Sequence, residues 1–132
     1  MTFAPSLFLR RVLLLDTAAT GATGLLLLGG TSLLHSLLNL PAALMTYAGI
    51  FCIAWAALVG FAGTRKQLTH GFVWAIIAGN ALWVLGSLAL LVSGYVAPTL
   101  LGYAFVVAQA LVVGVFAELQ YIGLTKRASA AA

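Results

Sequence analysis

The chain holds only two acids, Asp16 and Glu118, and each falls inside a long apolar run. A carboxylate at the centre of a membrane helix costs about 2.5–3.5 kcal/mol on insertion scales, so both call for an explanation. Counting ~1.5 Å per residue along a helix from the nearest cation, Asp16 stands ~8 Å above Arg11 and Glu118 ~12 Å above Lys126. By the same arithmetic Asn80 reaches that level from the basic segment preceding it. Thr20, Trp83 and Gln120 lie within a turn or so of this layer and are candidates to line a pocket beside it. Such a layer suits proton or cation exchange, with Asp16 and Glu118 as exchangeable carboxyls and Asn80 as the orienting hydrogen-bond partner. It equally suits interhelical glue, in which the amide bonds across helices while the acids reach the interface or stay protonated.

Other chemistries find no support. His35 and His70 sit at opposite ends of an apolar run, so one copy of the chain cannot bring them to a shared haem or metal. The single Cys52 excludes an intramolecular disulfide and a cysteine-based zinc or iron–sulfur site. Thr20-Gly-Ala-Thr-Gly24 is glycine-rich, yet it lacks the lysine and the preceding strand of a phosphate loop. No hydrolase elbow or dinucleotide fingerprint occurs either. The expectation is a protein that is not an enzyme and carries no cofactor or metal.

The elements that must position these residues follow from composition. Of 132 residues, 64% are hydrophobic and 6% charged, against roughly 25% charged in a soluble domain, and the mean hydropathy is +1.16. A chain this short cannot hide so much apolar surface from water, so its solvent is lipid. Apolar runs of span length cover 12–30, 41–63, 72–94 and 99–124. They lack period-2 alternation and are about twice the roughly ten residues of a membrane strand. The spacing predicts an all-α, polytopic membrane four-helix bundle in a single domain over 1–132, with a short cytoplasmic tail at 125–132.

Orientation is read from charge. The cations are Arg10 and Arg11, Arg65 and Lys66, and Lys126 and Arg127, all on one face of a four-span chain. The positive-inside rule then makes both termini and the 65–71 loop cytoplasmic, and turns 31–40 and 95–98 outward. The Arg10-Arg11 opening is not a cleaved export signal, because Asp16 interrupts the apolar run and no cleavage site follows. The net charge of +4 reflects topology and attraction to membrane lipids, not a nucleic-acid surface.

Local signals refine this plan. Pro41 and Pro98 mark helix starts. In 31–40, Leu33, Leu34, Leu37 and Leu38 share one helical face, which suits an interfacial helix or an extension of the first span. Ala48, Cys52, Ala56 and Gly60 form a strip of small residues that lets another helix approach closely. Thr17/Gly21, Thr20/Gly24 and Ala110/Gly114 are shorter versions. Trp55 and Trp83 lie deeper than an aromatic belt requires and suit packing or a pocket. Laying the first span on the third at an offset of 64 residues matches Asp16 with Asn80 and Gly30 with Gly94, which suggests tandem parallel hairpin repeats.

Leu9-Arg-Arg-Val12, Asn80-Ala-Leu-Trp-Val84 and Ala117-Glu-Leu-Gln-Tyr-Ile-Gly-Leu124 together resemble a group of small four-helix bacterial inner-membrane proteins. The resemblance implies that membrane and carries no activity. The small multidrug-resistance transporters are similar in size, but they resemble one another in a central first-helix glutamate, where this chain has Asp16 near the inner end. Six cations on one face also oppose dual insertion. The leading expectation is an accessory or packing subunit acting through helix contacts, as a homo-oligomer or within a larger membrane complex. The alternative is a small transporter, or a carrier for a lipid, quinone or cation, using the inner-leaflet carboxyls.

Overall fold

The computed structural model describes the backbone of residues 1–131 and the side chains of residues 1–126. Arg127's side chain and Ala132 lie outside the described residues, and with them part of the expected basic tail. The elements run β1 (Thr2–Phe3), α1 (Leu7–Gly29), α2 (Thr31–Leu38), α3 (Ala42–Thr64), β2 (Leu68–Thr69), α4 (His70–Val92) and α5 (Leu100–Ala131). The protein is all-α, and α1, α3, α4 and α5 are each long and apolar enough to cross a membrane. Few residues of each span are buried, 7 of 23 in α3 and 4 of 23 in α4, so most of each helix surface is left for lipid.

Helix ends are set by caps that hydropathy does not register. α1 starts at Leu7, five residues before the expected boundary, because the Ser6 hydroxyl accepts a hydrogen bond from the Leu9 N–H at 3.1 Å. Arg10 and Arg11 therefore ride on the helix. The Arg10 guanidinium donates to the Gly63 carbonyl at 2.7 Å and the Arg65 carbonyl at 3.0 Å, placing a cation at the C-terminal end of α3. Thr69 caps α4 in the same way as Ser6 caps α1, accepting from the Phe72 N–H at 3.1 Å. β1 and β2 pair antiparallel, Thr2 opposite Thr69 and Phe3 opposite Leu68, and tie the N-terminus to the basic loop. α5 continues as helix to Ala131, through most of the segment read as a tail.

Segment 31–40 is a separate helix and not an extension of the first span. α2 ends at Asn39, which adopts a left-handed conformation with φ 53°. Its four leucines divide: Leu38 and Leu34 pack on the bundle while Leu33 and Leu37 are exposed. The α2 segment and the α4–α5 connection clasp one another. Thr99 donates its N–H to the Leu38 carbonyl at 3.1 Å and its hydroxyl to the Leu37 carbonyl at 2.7 Å. Asn39 donates to the Ala97 carbonyl at 2.7 Å. The second hairpin has no counterpart of α2 between α4 and α5.

α1 packs along α3, α4 packs along α5, and α1 meets α5. The α1–α3 crossing is tightest at two glycines: a Cβ on Gly24 would lie 3.0 Å from the Gly49 carbonyl oxygen, and one on Gly49 would lie 3.2 Å from the Gly24 oxygen. Apolar plugs close both ends of the bundle. One gathers Leu9, Leu13, Val59, Val73 and Ile76 around Phe3 and Leu68. The other gathers Leu27, Leu38, Leu40, Met45 and Val106 at the end bearing α2. Polar side chains and a cavity lie between the plugs, where α3 and α4 stand apart.

Candidate functional site

Asp16 on α1 is fully buried, as is Gln120 on α5, and Asn80 on α4 is 3% exposed. Trp55 on α3 completes the group. Its indole nitrogen can only donate, and it lies 3.1 Å from Asn80 Oδ1, which fixes how the Asn80 amide is turned. Asn80 Nδ2 then donates to Asp16 Oδ2 at 2.9 Å and to Gln120 Oε1 at 3.0 Å. That in turn directs Gln120 Nε2 to Asp16 Oδ2, at 2.7 Å. Thr20 closes the set from one turn along α1, its hydroxyl donating to Asp16 Oδ1 at 2.9 Å. Three donors converge on one carboxyl group, and all three are uncharged.

This layer joins all four spans at one level, which burial of polar groups in an apolar medium demands: each must find its partner inside the protein. The structure holds Asp16 and Asn80 at this level; of the residues expected to line a pocket, Thr20 does so next to the layer, whereas Gln120 is a buried member of the layer itself. Glu118 does not join. It is exposed, on an outward patch with Ile77, Ala117, Tyr121 and Ile122. The reason is angular. At 3.6 residues per turn, two residues along α5 rotate a side chain by about 200°, so a helix that turns Gln120 inward turns Glu118 away.

Next to the layer is a cavity of about 270 Å³, walled by side chains from all four spans. Thr20 and Asn80 face it directly and separate it from Asp16. Aromatic rings form one side. Phe51 stacks on Trp83 with ring centroids 5.4 Å apart and on Trp55 at 5.9 Å, with planes nearly parallel. Trp83 donates to Gln109 Oε1 at 2.7 Å, and Gln109 Nε2 donates to Ser87 Oγ at 3.0 Å and to the Val106 carbonyl at 2.8 Å. Each deep tryptophan is thus held by an amide from another span. A wider chamber of about 610 Å³ shares Thr23, Phe51, Trp83 and Gln109 with the cavity and leads toward the end of the bundle bearing α2. Gly79 makes room for this wall, since a Cβ there would collide with the Trp55 ring.

The small-residue strip divides between packing and cavity. Ala56 and Gly60 face α1, where a Cβ on Gly21 would meet Ala56 at 3.6 Å and one on Gly60 would meet Thr17 at 3.1 Å. Cys52 lines the cavity and Ala48 the chamber. Gln109 was not singled out from the sequence, although a signal was present: it precedes Gln120 by eleven residues, close to three turns, so both share a face of α5. Asn80, Trp83 and Ser87 likewise follow helical spacing on α4.

The histidines stand apart. His70 stacks against Phe3 at 4.6 Å, and His35 Nδ1 lies 2.6 Å from the Leu40 carbonyl, which requires the hydrogen on that nitrogen. No group of three metal-ligating side chains occurs among the described residues. The arrangement can bind an apolar or aromatic molecule between the hairpins; it presents no nucleophile beside a base. Comparison with family models, with curated proteins and with solved structures finds no match for this chain.

Proposed function

We propose that this protein is a non-catalytic, membrane-embedded binding protein or carrier for a hydrophobic small molecule, which it holds between its two hairpins. The observation that carries this reading is the cavity of about 270 Å³ within the bundle, continuous with a chamber of about 610 Å³. Binding sites in membrane bundles lie between helices and combine an apolar lining with a few convergent polar groups. Here the aromatic wall is braced from behind by hydrogen bonds, so it keeps its shape when empty. In this reading the chain lies in a bacterial inner membrane with both termini cytoplasmic, supported by the clustering of all its cations on one side.

A second reading, a packing subunit of a homo-oligomer or larger complex, is favoured by one observation. Glu118 presents a carboxylate on an outward apolar patch, where a partner would relieve its cost. It ranks lower because Ala56 and Gly60 of the small-residue strip are used within the chain, against α1. Native mass spectrometry in mild detergent separates the two readings by showing whether copies or partners stay attached.

The direct test uses Trp74→Phe protein, whose remaining tryptophans, Trp55 and Trp83, both line the cavity. Titration with the neutral amphiphile N-phenylnaphthylamine should quench them saturably, at one molecule per chain. Filling the cavity by Ala108→Phe and the chamber by Gly86→Leu should weaken uptake about tenfold or more; a non-saturating response, the same in both proteins, would overturn the reading.

A further inference from the structure

The same cavity carries an inference about the charge of its ligand, and this inference rests on the binding role proposed above. In a membrane a neutral apolar molecule gains little by leaving lipid chains for an apolar pocket, because both surroundings are hydrocarbon. Selectivity must come from polar or electrostatic features of the wall. Hydrogen-bond donation to a ligand is largely spent. Thr20, Trp55, Asn80, Trp83 and Gln109 all line the cavity, and each directs its donor group to another protein atom. A quinone or other carbonyl ligand, which needs donors, finds these five already engaged.

What the wall does offer favours positive charge. Asp16 lies immediately behind Thr20 and Asn80, and its three hydrogen-bond partners are all neutral. The donor polarity set by the indole of Trp55 delivers both amide bonds to Asp16 Oδ2 as acceptor, while the Thr20 hydroxyl meets the other oxygen. No basic side chain pairs with this carboxyl among the described residues, and Thr20 and Asn80, both bonded to it, line the cavity, so a cation held there would be the countercharge it lacks. The tryptophan and phenylalanine rings add the negative faces of their π systems, which attract organic cations. The Arg10 guanidinium is engaged by carbonyls at the end of α3 and the Arg65 guanidinium lies over the Phe61 ring, both one plug away.

We infer that the cavity selects lipophilic organic cations, with Asp16 supplying the charge preference through Thr20 and Asn80 and the aromatic wall supplying contact. The test compares two ions of nearly equal size and shape and opposite charge, tetraphenylphosphonium and tetraphenylborate. Binding of each to the purified protein is measured by equilibrium dialysis against matched uncharged detergent, beside the neutral N-phenylnaphthylamine titration. The wild type should prefer the cation by about a thousandfold, because unit charges ~7 Å apart at an effective dielectric constant near ~20 change the binding of each ion by about fiftyfold in opposite senses. Asp16→Asn should lose that preference while keeping the neutral probe. Equal binding of both ions by the wild type, with the neutral probe still bound, would overturn the charge inference and leave the binding role standing. Failure of all three probes would overturn both. If Asp16→Asn does not fold, the comparison of ions on the wild type still decides.

Discussion

Replacing Asn80 by leucine tests whether the polar layer ties the two hairpins together. The side chain accepts from Trp55 and donates to Asp16 and Gln120, so Asn80→Leu removes three interhelical bonds at once while keeping the branching of the heavy-atom skeleton. Interhelical hydrogen bonds in membranes average about 0.6 kcal/mol, which for three gives roughly 2 kcal/mol. The unpaired partners add to this: a buried group left without a partner costs about 1–3 kcal/mol. Better accommodation of leucine in apolar surroundings offsets part of the loss. The expected destabilisation is about 2–4 kcal/mol. It is measured by unfolding the purified protein with sodium dodecyl sulfate in mixed micelles, followed by circular dichroism and tryptophan emission. Gln120→Leu shares one bond with Asn80, so the double variant should cost less than the sum of the singles. Glu118→Gln is the control and should unfold with the wild type, since Glu118 faces outward. A change below about 0.5 kcal/mol for Asn80→Leu, or a larger one for Glu118→Gln than for Asn80→Leu, would refute this account of the layer.

Three helical glycines should respond to alanine with different signs in the same assay. Gly79→Ala drives a methyl group into the Trp55 ring and Gly102→Ala drives one into the Leu38 carbonyl, so each should lose about 1–3 kcal/mol. Gly86→Ala meets open space and should gain up to about 1 kcal/mol from helix propensity. The proposed orientation is checked in a Cys52→Ala background with a membrane-impermeant thiol reagent on intact cells. Ser36→Cys should be labelled and Gln67→Cys protected until the membrane is opened; labelling of Gln67→Cys from outside reverses the topology.

Four apolar runs separated by charged or turn-forming segments determined the class of this protein without any coordinates, because the length and polarity of a membrane span are constrained along the chain itself. The same reasoning singled out Asp16 and Asn80 as residues that need partners. It could not decide what those partners were. Both acids lie at similar computed heights, but depth is only one coordinate of a side chain on a helix, and the rotation of α5 settles the other: Gln120 inward, Glu118 outward. The start of α1 at Ser6 was also hidden, since a cap is a hydrogen bond to a backbone N–H and leaves no trace in hydropathy. The cavity was hidden for a further reason. Trp55, Trp83, Gln109 and Gly79 have separate local explanations, and only the separation of α3 from α4, bridged by side chains from opposite hairpins, turns them into one wall.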